Sequence, residues 1–188
     1  MKVLHIDSSI LGDASVSRQL SQAIVAQLKS KHSDAQVDYV DLATTPVAHL
    51  DAEIMMGKNP EQAAISESLL QQYETADVVV IGAGMYNFGI SSTLKAWLDR
   101  LCVAGRTFKY TENGAVGLVA NKKTYIASSR GGVYGDNSPA DFQEDQLKAV
   151  LNFTGISDIE VIRAEGVNMG AEMKAQAITA AMSRIQSI

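Results

Sequence analysis

The chain has 188 residues, 46% apolar and 20% charged, a composition typical of one globular domain spanning residues 1–188. Its formal net charge of -5 argues against duplex nucleic acid as a partner, because such binding needs a basic face. No apolar run approaches the ~20 residues that cross a bilayer, and the N-terminus lacks the apolar stretch of a signal peptide. With one cysteine and therefore no internal disulfide, we expect a cytoplasmic protein that binds neither nucleic acid nor membrane.

Five short β-rich runs are predicted as strands, and they alternate with longer stretches of helical period. In chain order the predicted strands are Lys2–Asp7, Gln36–Asp41, 77–82, Lys123–Ser129 and 158–163. Ile6, residues 78–81 and residues 159–162 lie in runs too continuously apolar for a strand with one exposed face. This pattern favours burial on both faces of a parallel sheet.

Amphipathic helices are predicted between and after these strands, because apolar residues recur there every three or four positions. The five sets of apolar positions are Leu20/Ile24/Leu28, Ile65/Leu69/Tyr73, Leu94/Trp97/Leu98/Leu101, Leu147/Val150/Leu151 and Ile178/Ala181/Met182/Ile185. The alternation indicates an α/β fold, a flavodoxin-like three-layer sandwich. Since a dinucleotide-binding fold would need a sixth strand, we expect a five-stranded parallel sheet of order 2-1-3-4-5.

Two segments break the alternation of strands and helices. Residues 43–62 are long and irregular, and residues 108–118 surround the turn signal Glu112-Asn113-Gly114. Long loops of this kind in a compact domain are often lids or partner contacts.

The loop after the first strand is rich in serine. Ser8, Ser9, Ser15 and Ser17 fall within ten residues that lead into the first helix. Hydroxyls and free amides at a helix N-terminus are suited to a phosphate monoester. Helix capping is the alternative, but it explains only one of these serines. Neither the Rossmann nor the Walker phosphate motif fits this loop.

The loop after the third strand, residues 82–91, sets large apolar side chains between glycines. Glycine lets the backbone approach a ligand closely, and the rings of Tyr86 and Phe88 could wall an aromatic slot. The alternative is that both rings simply cover the end of the sheet.

The loop after the fourth strand joins Ser129 and Arg130 to the pair Gly131 and Gly132. Such a turn can place N–H donors beside the carbonyl-rich edge of a heterocycle and stabilise negative charge that develops there. A plain Gly-Gly turn with a solvated arginine is the alternative. In an open parallel sheet these three loops lie at one edge, where ligands bind.

Taken together, these loops resemble those of the FMN-dependent NADH-azoreductase family, relatives of the flavodoxin-like NAD(P)H:quinone reductases. The likeness runs nearly the whole length of the chain, and the order and spacing of its motifs are specific. These motifs are the KVL…SSIL opening, SVS at 15–17, MYNF at 85–88, LK…D at 94–99, TFKYTENG at 107–114, SRGG at 129–132 and AEG at 164–166.

The resemblance implies ping-pong, two-electron reduction of quinones and reductive cleavage of azo compounds, with NADH or NADPH as the donor. It implies tightly but non-covalently bound FMN that carries the chemistry, with no catalytic side chain and no metal. It also implies a homodimer with flavin sites at the interface, where Tyr110 and Phe153 shape the acceptor slot. The implied FMN contacts are Ser9, Ser15, Val16, Ser17, Met85, Tyr86, Asn87, Phe88, Ser129, Arg130, Gly131 and Gly132.

Three further residues carry expectations of their own. Gly84 stands where the family loop usually has proline, which predicts a looser loop. His5 lies within the first strand and is expected in the core or behind the site. Cys102 follows an apolar helix stripe and is expected to be buried and unreactive.

Two other functions fit the same scaffold. A flavodoxin-type single-electron carrier would bind FMN, but such carriers usually have a Ser/Thr-x-Thr-Gly-x-Thr loop and a more acidic surface, and this chain has neither. A flavin-free regulatory or structural domain is the third possibility, since a fold does not fix a function.

Overall fold

The computed structural model describes residues 1–136 and 138–188. A short 3₁₀ turn, Gly12–Ala14, precedes the first helix. The strands and helices, in chain order, are β1 (Lys2–Asp7), α1 (Val16–Lys31), β2 (Gln36–Asp41), α2 (Ala52–Met55), α3 (Pro60–Thr75), β3 (Val78–Gly84), α4 (Ser92–Asp99), β4 (Phe108–Thr111), β5 (Gly114–Gly117), β6 (Lys123–Ser129), α5 (Gln143–Thr154), β7 (Asp158–Ala164) and α6 (Ala171–Gln186).

Five of the strands form one parallel sheet in the order β2-β1-β3-β6-β7. Numbered among themselves, these strands have the predicted order 2-1-3-4-5, so that prediction is confirmed. The direction of winding reverses between β1 and β3. Their carboxyl ends therefore flank the crevice in which doubly wound folds bind ligands.

Helices cover both faces of the sheet and bury a separate apolar core on each. On one face α1 and α6 bury residues such as Leu20, Ile24 and Ile185. On the other face, fully buried Trp97 of α4 meets Tyr73 of α3 edge to face, with ring centroids 6.1 Å apart. Burying each large side chain stabilises the fold by about 1.5–3 kcal/mol, so the two cores hold the strand ends in fixed positions.

Helix ends follow the capping residues in the sequence. Ser15, Asp51, Asn59 and Ser91 each accept a backbone N–H in the first turn of the helix that they precede. Helix α5 ends at Gly155, whose φ of 109° lies in the left-handed region that favours glycine.

The two irregular segments have local structure. Residues 108–118 form the β4–β5 hairpin, and the segment after β2 contains the short helix α2. The buried Arg100 donates to the carbonyl of Ala48 and to the side chains of Ser66 and Gln62, which ties this segment to α3. None of the helices in the described residues has the length and apolar character that a membrane crossing requires.

Two expectations about burial were wrong. Strand β7 is at the edge of the sheet, so Ile159 and Val161 are half-buried rather than enclosed on both faces. Cys102 is exposed, because α4 ends at Asp99 and Leu101 occupies the inward position beyond it. His5 is buried, as expected.

Candidate functional site

A cleft of about 340 Å³ opens at the carboxyl edge of the sheet, a volume within the range of small-molecule pockets. Most of the predicted FMN contacts line it: Ser9, Ser15, Val16, Met85, Tyr86, Asn87, Ser129, Arg130 and Gly131. Ser17, Phe88 and Gly132 adjoin these residues but do not line the cleft. The structure adds residues that the sequence did not indicate: Leu11, Ala14, Val167, Asn168 and Lys174.

The serine loop brings hydroxyl groups and free amides to the start of α1. Ser15 caps the helix by accepting the N–H of Arg18 at 3.3 Å, and its Oγ lies 3.1 Å from Oγ of Ser17. The amides of the first helical residues, Val16 and Ser17, have no acceptor within the helix. Ser8 does not take part, because its buried hydroxyl donates to the carbonyl of Gly82 at 2.8 Å. The loop thus has the groups that bind a phosphate.

The Tyr86 hydroxyl joins the first loop to the loop after β3. It lies 3.0 Å from Oγ of Ser9 and accepts the N–H of Ile10 at 3.1 Å. Because Tyr86 also lines the cleft, its ring is held in place by the serine loop. The two predicted loops therefore form one connected wall.

Residues 86–89 form a tight turn with unusual backbone geometry. Tyr86 and Gly89 exchange hydrogen bonds of 2.9 and 3.0 Å, while Asn87 and Phe88 have φ values of 47° and 71°. Positive φ at both central positions is typical of a type I′ turn, and it is unfavourable for phenylalanine. Strain of this kind, of order 1–3 kcal/mol, clusters at functional sites. Both side chains are exposed beside the cleft.

Gly84 lies at the end of β3, beneath the ring of Tyr86. A Cβ atom at this position would meet Cε2 of Tyr86 at 3.3 Å, Oγ of Ser17 at 3.7 Å and Oγ of Ser129 at 3.8 Å. Glycine therefore gives the Tyr86 ring room against the strand. The effect of the missing proline on loop rigidity stays a prediction.

Four backbone hydrogen bonds of 2.9–3.1 Å fasten the turn after β6 to the loop after β7. Arg130 donates to Ala164, and the carbonyls of residues 130–132 accept N–H groups from residues 166–168. A Cβ atom on Gly131 would lie 2.7 Å from Nδ2 of Asn168, so a larger residue there would have to displace the Asn168 side chain. The amides of Gly131 and Gly132 take no part in these four bonds.

Arg130 has a different role from the one expected for its side chain. Its fully buried guanidinium lies 2.6 Å from Asp141, 2.6 Å from Glu144 and 3.0 Å from Glu165. Glu165 also accepts the amides of Tyr134 and Gly135 at 3.3 Å. The guanidinium is thus enclosed among carboxylates rather than solvated. It fixes the cleft wall from behind.

Arg18 plays the corresponding part behind the serine loop. Two of its nitrogens donate to the carbonyl of Ser9 at 3.1 and 2.8 Å, and its fork binds the carboxylate of Asp41 at 2.8 and 2.5 Å. Tyr39 donates to the fully buried Asp7 at 3.1 Å. Burial, together with this neighbouring carboxylate, raises the pKa of Tyr39 to about 12, so it remains a neutral donor.

The lining of the cleft fits FMN. Among residues 1–136 and 138–188, no aspartate or glutamate lines the cleft, so none of their carboxylates opposes a phosphate there. Hydroxyls and helix amides gather at α1, while Leu11, Val16, Met85 and Val167 offer apolar surface for a flat ring system. Among the described residues no group of three His, Cys, Asp or Glu side chains could hold a metal ion.

The predicted acceptor residues do not join this cleft within one chain. Phe153 lies in the last turn of α5, whose first residue, Gln143, contacts the carboxyl end of β3. It packs on Phe108 with ring centroids 4.5 Å apart, and Phe108 meets Tyr110 at 5.3 Å. A helix of this length extends about 1.5 Å per residue away from the cleft edge, which separates both residues from the cleft of their own chain.

Comparison with known proteins gives a consistent result along the whole chain. A family model described as flavodoxin-like fold matches residues 1–188. The FMN-dependent NADH:quinone oxidoreductase of Stenotrophomonas maltophilia (strain K279a) is 53% identical over 187 residues, covering 100% of this chain and 95% of that protein. The FMN-dependent NADH:quinone oxidoreductase 2 of Pseudomonas aeruginosa is 50% identical over 195 residues, covering 98% of this chain and 96% of that protein.

Solved structures agree with these relatives. An azoreductase from Bacillus anthracis str. Sterne has a TM-score of 0.89 at 29% identity, covering 100% of this chain and 97% of that one. An FMN-dependent NADH-azoreductase from Bacillus anthracis str. Ames Ancestor, solved in complex with FMN, has a TM-score of 0.88 at 25% identity, covering 99% and 96%. The chain therefore belongs to the flavodoxin-like family of FMN-dependent NADH:quinone oxidoreductases and azoreductases.

Proposed function

We propose that this chain is an FMN-dependent oxidoreductase that takes electrons from NADH, or from NADPH, and reduces quinones and azo compounds two electrons at a time. The observation that carries the proposal is the acid-free cleft, in which a serine-capped helix N-terminus lies beside apolar, glycine-lined walls. The activity named for relatives about 50% identical along the whole chain, FMN-dependent NADH:quinone oxidoreduction, supports the same reaction.

The chain contributes binding and orientation to this reaction. The hydroxyls of Ser15 and Ser17, with the first amides of α1, would hold the phosphate of FMN. Tyr86 keeps the serine loop and the turn after β3 together, and the glycines at 131 and 132 let the backbone approach a ring edge. The hydride chemistry would come from bound FMN, which can accept hydride from the nicotinamide and pass the electrons to the acceptor.

The proposal is tested by loading purified chain with FMN and titrating it with NADH without oxygen. We expect one equivalent of NADH to bleach the flavin absorbance and one equivalent of a quinone to restore it. Steady-state rates with both nicotinamides, against a quinone and an azo dye, should give the parallel reciprocal plots of ping-pong exchange. Failure to bind FMN, or no reaction of bound FMN with NADH, would contradict the proposal. A single-electron carrier would show the second result.

Asn87 is proposed to contact the reactive edge of the flavin from the strained turn. Losing one hydrogen bond from Asn87→Ala should lower turnover or FMN affinity roughly 2- to 10-fold. Asn87→Gly is the matched control, because it removes the amide while accommodating the φ of 47°. An effect in both variants assigns the loss to the side chain. Unchanged kinetics and an unchanged flavin spectrum in both would refute the contact.

A homodimer is also part of the proposal. Tyr110 and Phe153 are exposed and lie away from their own cleft, whose rim carries the exposed side chains of Ile10, Leu11 and Phe88. Packing a second copy against these groups would remove apolar surface from water and bring an acceptor slot to each cleft. Light scattering should give twice the mass of one chain, and Tyr110→Ala should raise the acceptor KM without changing the FMN Kd. A monomer with full activity would rule this out.

We further propose that the enzyme works in the cytoplasm, where a reducing environment keeps Cys102 as a thiol and where NADH is available as a donor. Fractionation of cells that express the tagged chain tests this assignment. Recovery in a secreted fraction would contradict it.

A further inference from the structure

Lys174 lies close to the serine loop because α6 runs alongside α1. Both helices have 16 residues and pack on the same face of the sheet. At their far ends, Nε2 of Gln27 in α1 donates to the carbonyl of Gln186 in α6 at 3.1 Å, and the ammonium of Lys31 contacts the carbonyl of Ile188. The first turns are neighbours at the opposite end. Lys174 and Ser15 accordingly line the same cleft.

Lys174 is also the cation of the cleft that has no carboxylate partner. The lining contains two charged residues, Arg130 and Lys174. Arg130 is neutralised by Asp141, Glu144 and Glu165, whereas no carboxylate of residues 1–136 or 138–188 lies within ion-pair distance of Lys174. Its half-buried side chain therefore contributes a net positive charge to the lining.

The position of Lys174 in its helix makes a purely structural role a poor explanation. Its backbone N–H donates to the carbonyl of Gly170, which places it in the first turn of α6. A cation there opposes the helix dipole, whose positive end is the N-terminus. An anion bound between the first turns of α1 and α6 would remove this disadvantage.

We propose that the ammonium of Lys174 binds the phosphate of FMN, opposite the hydroxyls of Ser15 and Ser17. This inference rests on the proposed function. A phosphate monoester carries a charge of about -1.5 to -2 near pH 7, more than the half charge of one helix N-terminus can balance. Lys174 supplies the remaining charge through a contact that neutral hydroxyls cannot replace.

The test compares FMN with riboflavin, which has the same ring system and no phosphate. The Kd of each is measured by fluorescence quenching on the apoprotein of the wild type, Lys174→Met, Lys174→Arg and Lys29→Met. Lys29 lies exposed in the last turn of α1, so its variant makes the same change in net charge away from the cleft. Thermal unfolding of each apoprotein checks that the fold is retained.

We expect Lys174→Met to weaken FMN binding about tenfold, as for the loss of one charge-assisted contact, and to change riboflavin binding less than about twofold. Its FMN Kd should depend less on salt. Lys174→Arg and Lys29→Met should stay near the wild type. Equal weakening of both ligands, or an unchanged FMN Kd with a higher KM for NADH or NADPH, would overturn the assignment while leaving the proposed function intact. A wild type that binds neither ligand would overturn both.

Discussion

Arg130→Met is expected to lower the free energy of unfolding by about 3–5 kcal/mol, because removing one partner of a buried ion cluster leaves its charges uncompensated. The Arg130 side chain is fully buried, and it is the one cation of residues 1–136 and 138–188 in ion-pair contact with Asp141 and Glu165. Both carboxylates lose that partner in this variant. Glu144 would keep Arg163 and Lys148 as cationic partners. Methionine fills similar volume, so the loss reports charge rather than a cavity.

Flavin binding in the cleft should weaken together with the stability of the fold. Glu165 holds the amides of Tyr134 and Gly135, and Asp141 belongs to the segment that leads into α5. Without the guanidinium, these carboxylates repel one another next to the turn that contains Gly131. We therefore expect weaker binding of FMN and of riboflavin alike, because the wall moves as a whole. This result differs from the phosphate-specific effect expected for Lys174.

Urea unfolding of the apoprotein measures the stability change, and Arg106→Met is the control. Arg106 also binds carboxylates, with four hydrogen bonds of 2.8–3.2 Å to Glu67 and Glu74, but these lie at the surface. Exposed ion pairs contribute about 0–1 kcal/mol, so the control should unfold close to the wild type. Equal losses in the two arginine variants would refute the role of burial.

The stability difference should also depend on pH. Burial raises the pKa of Glu144. Hydrogen bonds from Arg163 and the charge of Arg130 together lower it by more than burial raises it, so the pKa of Glu144 lies below its ordinary value. A lowered carboxylate pKa stabilises the fold above the unfolded-state pKa, about 4.3, and this contribution is lost as the pH falls through the folded-state pKa. Removing Arg130 weakens the depression. The gap between wild type and variant should therefore narrow below about pH 4.

The sheet and the three loops could be predicted because their signals are local. Continuous apolar runs such as residues 78–81 mark buried strands, and serines or glycines directly after them mark the ligand edge. The predicted burial of β7 on both faces was wrong, because whether a strand lies at the edge depends on the order of strands in the sheet and not on its composition. The predicted burial of Cys102 was wrong because a difference of one residue in the length of a helix decides whether a side chain near its end faces inward.

The rest of the site depends on contacts between distant segments. Lys174 and Asn168 are ordinary residues in the sequence. Lys174 reaches the cleft because α6 packs beside α1, and Asn168 reaches it because its backbone N–H donates to the carbonyl of Gly131. The sequence does not indicate that carboxylates enclose the Arg130 side chain, because its partners Asp141 and Glu165 come from separate loops. No sequence signal indicates a left-handed φ at Phe88, since phenylalanine is disfavoured there.

Arg18→Met is the second large effect, with an expected loss of about 3–5 kcal/mol in the free energy of unfolding. The side chain of Arg18 is 8% exposed and has Asp41 at 2.5 Å and the fully buried Asp7 at 3.9 Å. Both carboxylates lose their arginine in this variant. Tyr39 and Ser21 still donate to Asp7, and Nε2 of His5 lies 3.5 Å from it, but the hydrogen bonds from the two hydroxyls do not balance its charge.

The exposed neighbour Gln19 provides the matched control, since Gln19→Met removes a polar side chain from the same helix turn and should leave stability within about 0.5 kcal/mol of the wild type. Arg18→Lys keeps a charge but loses the planar guanidinium that binds Asp41. Its free energy of unfolding should therefore fall between those of Arg18→Met and Gln19→Met. The double variant Arg18→Met with Asp41→Asn should lose less than the sum of the single losses, because the two residues are in contact.

Arg18→Met should also affect ligand binding in the cleft, because the Ser9 carbonyl accepts two N–H groups from Arg18. Releasing that carbonyl frees the serine loop, whose Ser9 hydroxyl lies 3.0 Å from the Tyr86 hydroxyl, so the turn formed by residues 86–89 would lose support as well. FMN binding should weaken in Arg18→Met and recover partly in Arg18→Lys, measured at a urea concentration where each variant is folded. A destabilised variant with unchanged FMN affinity would mean that Arg18 supports the fold alone and that Tyr86 suffices to hold the loop.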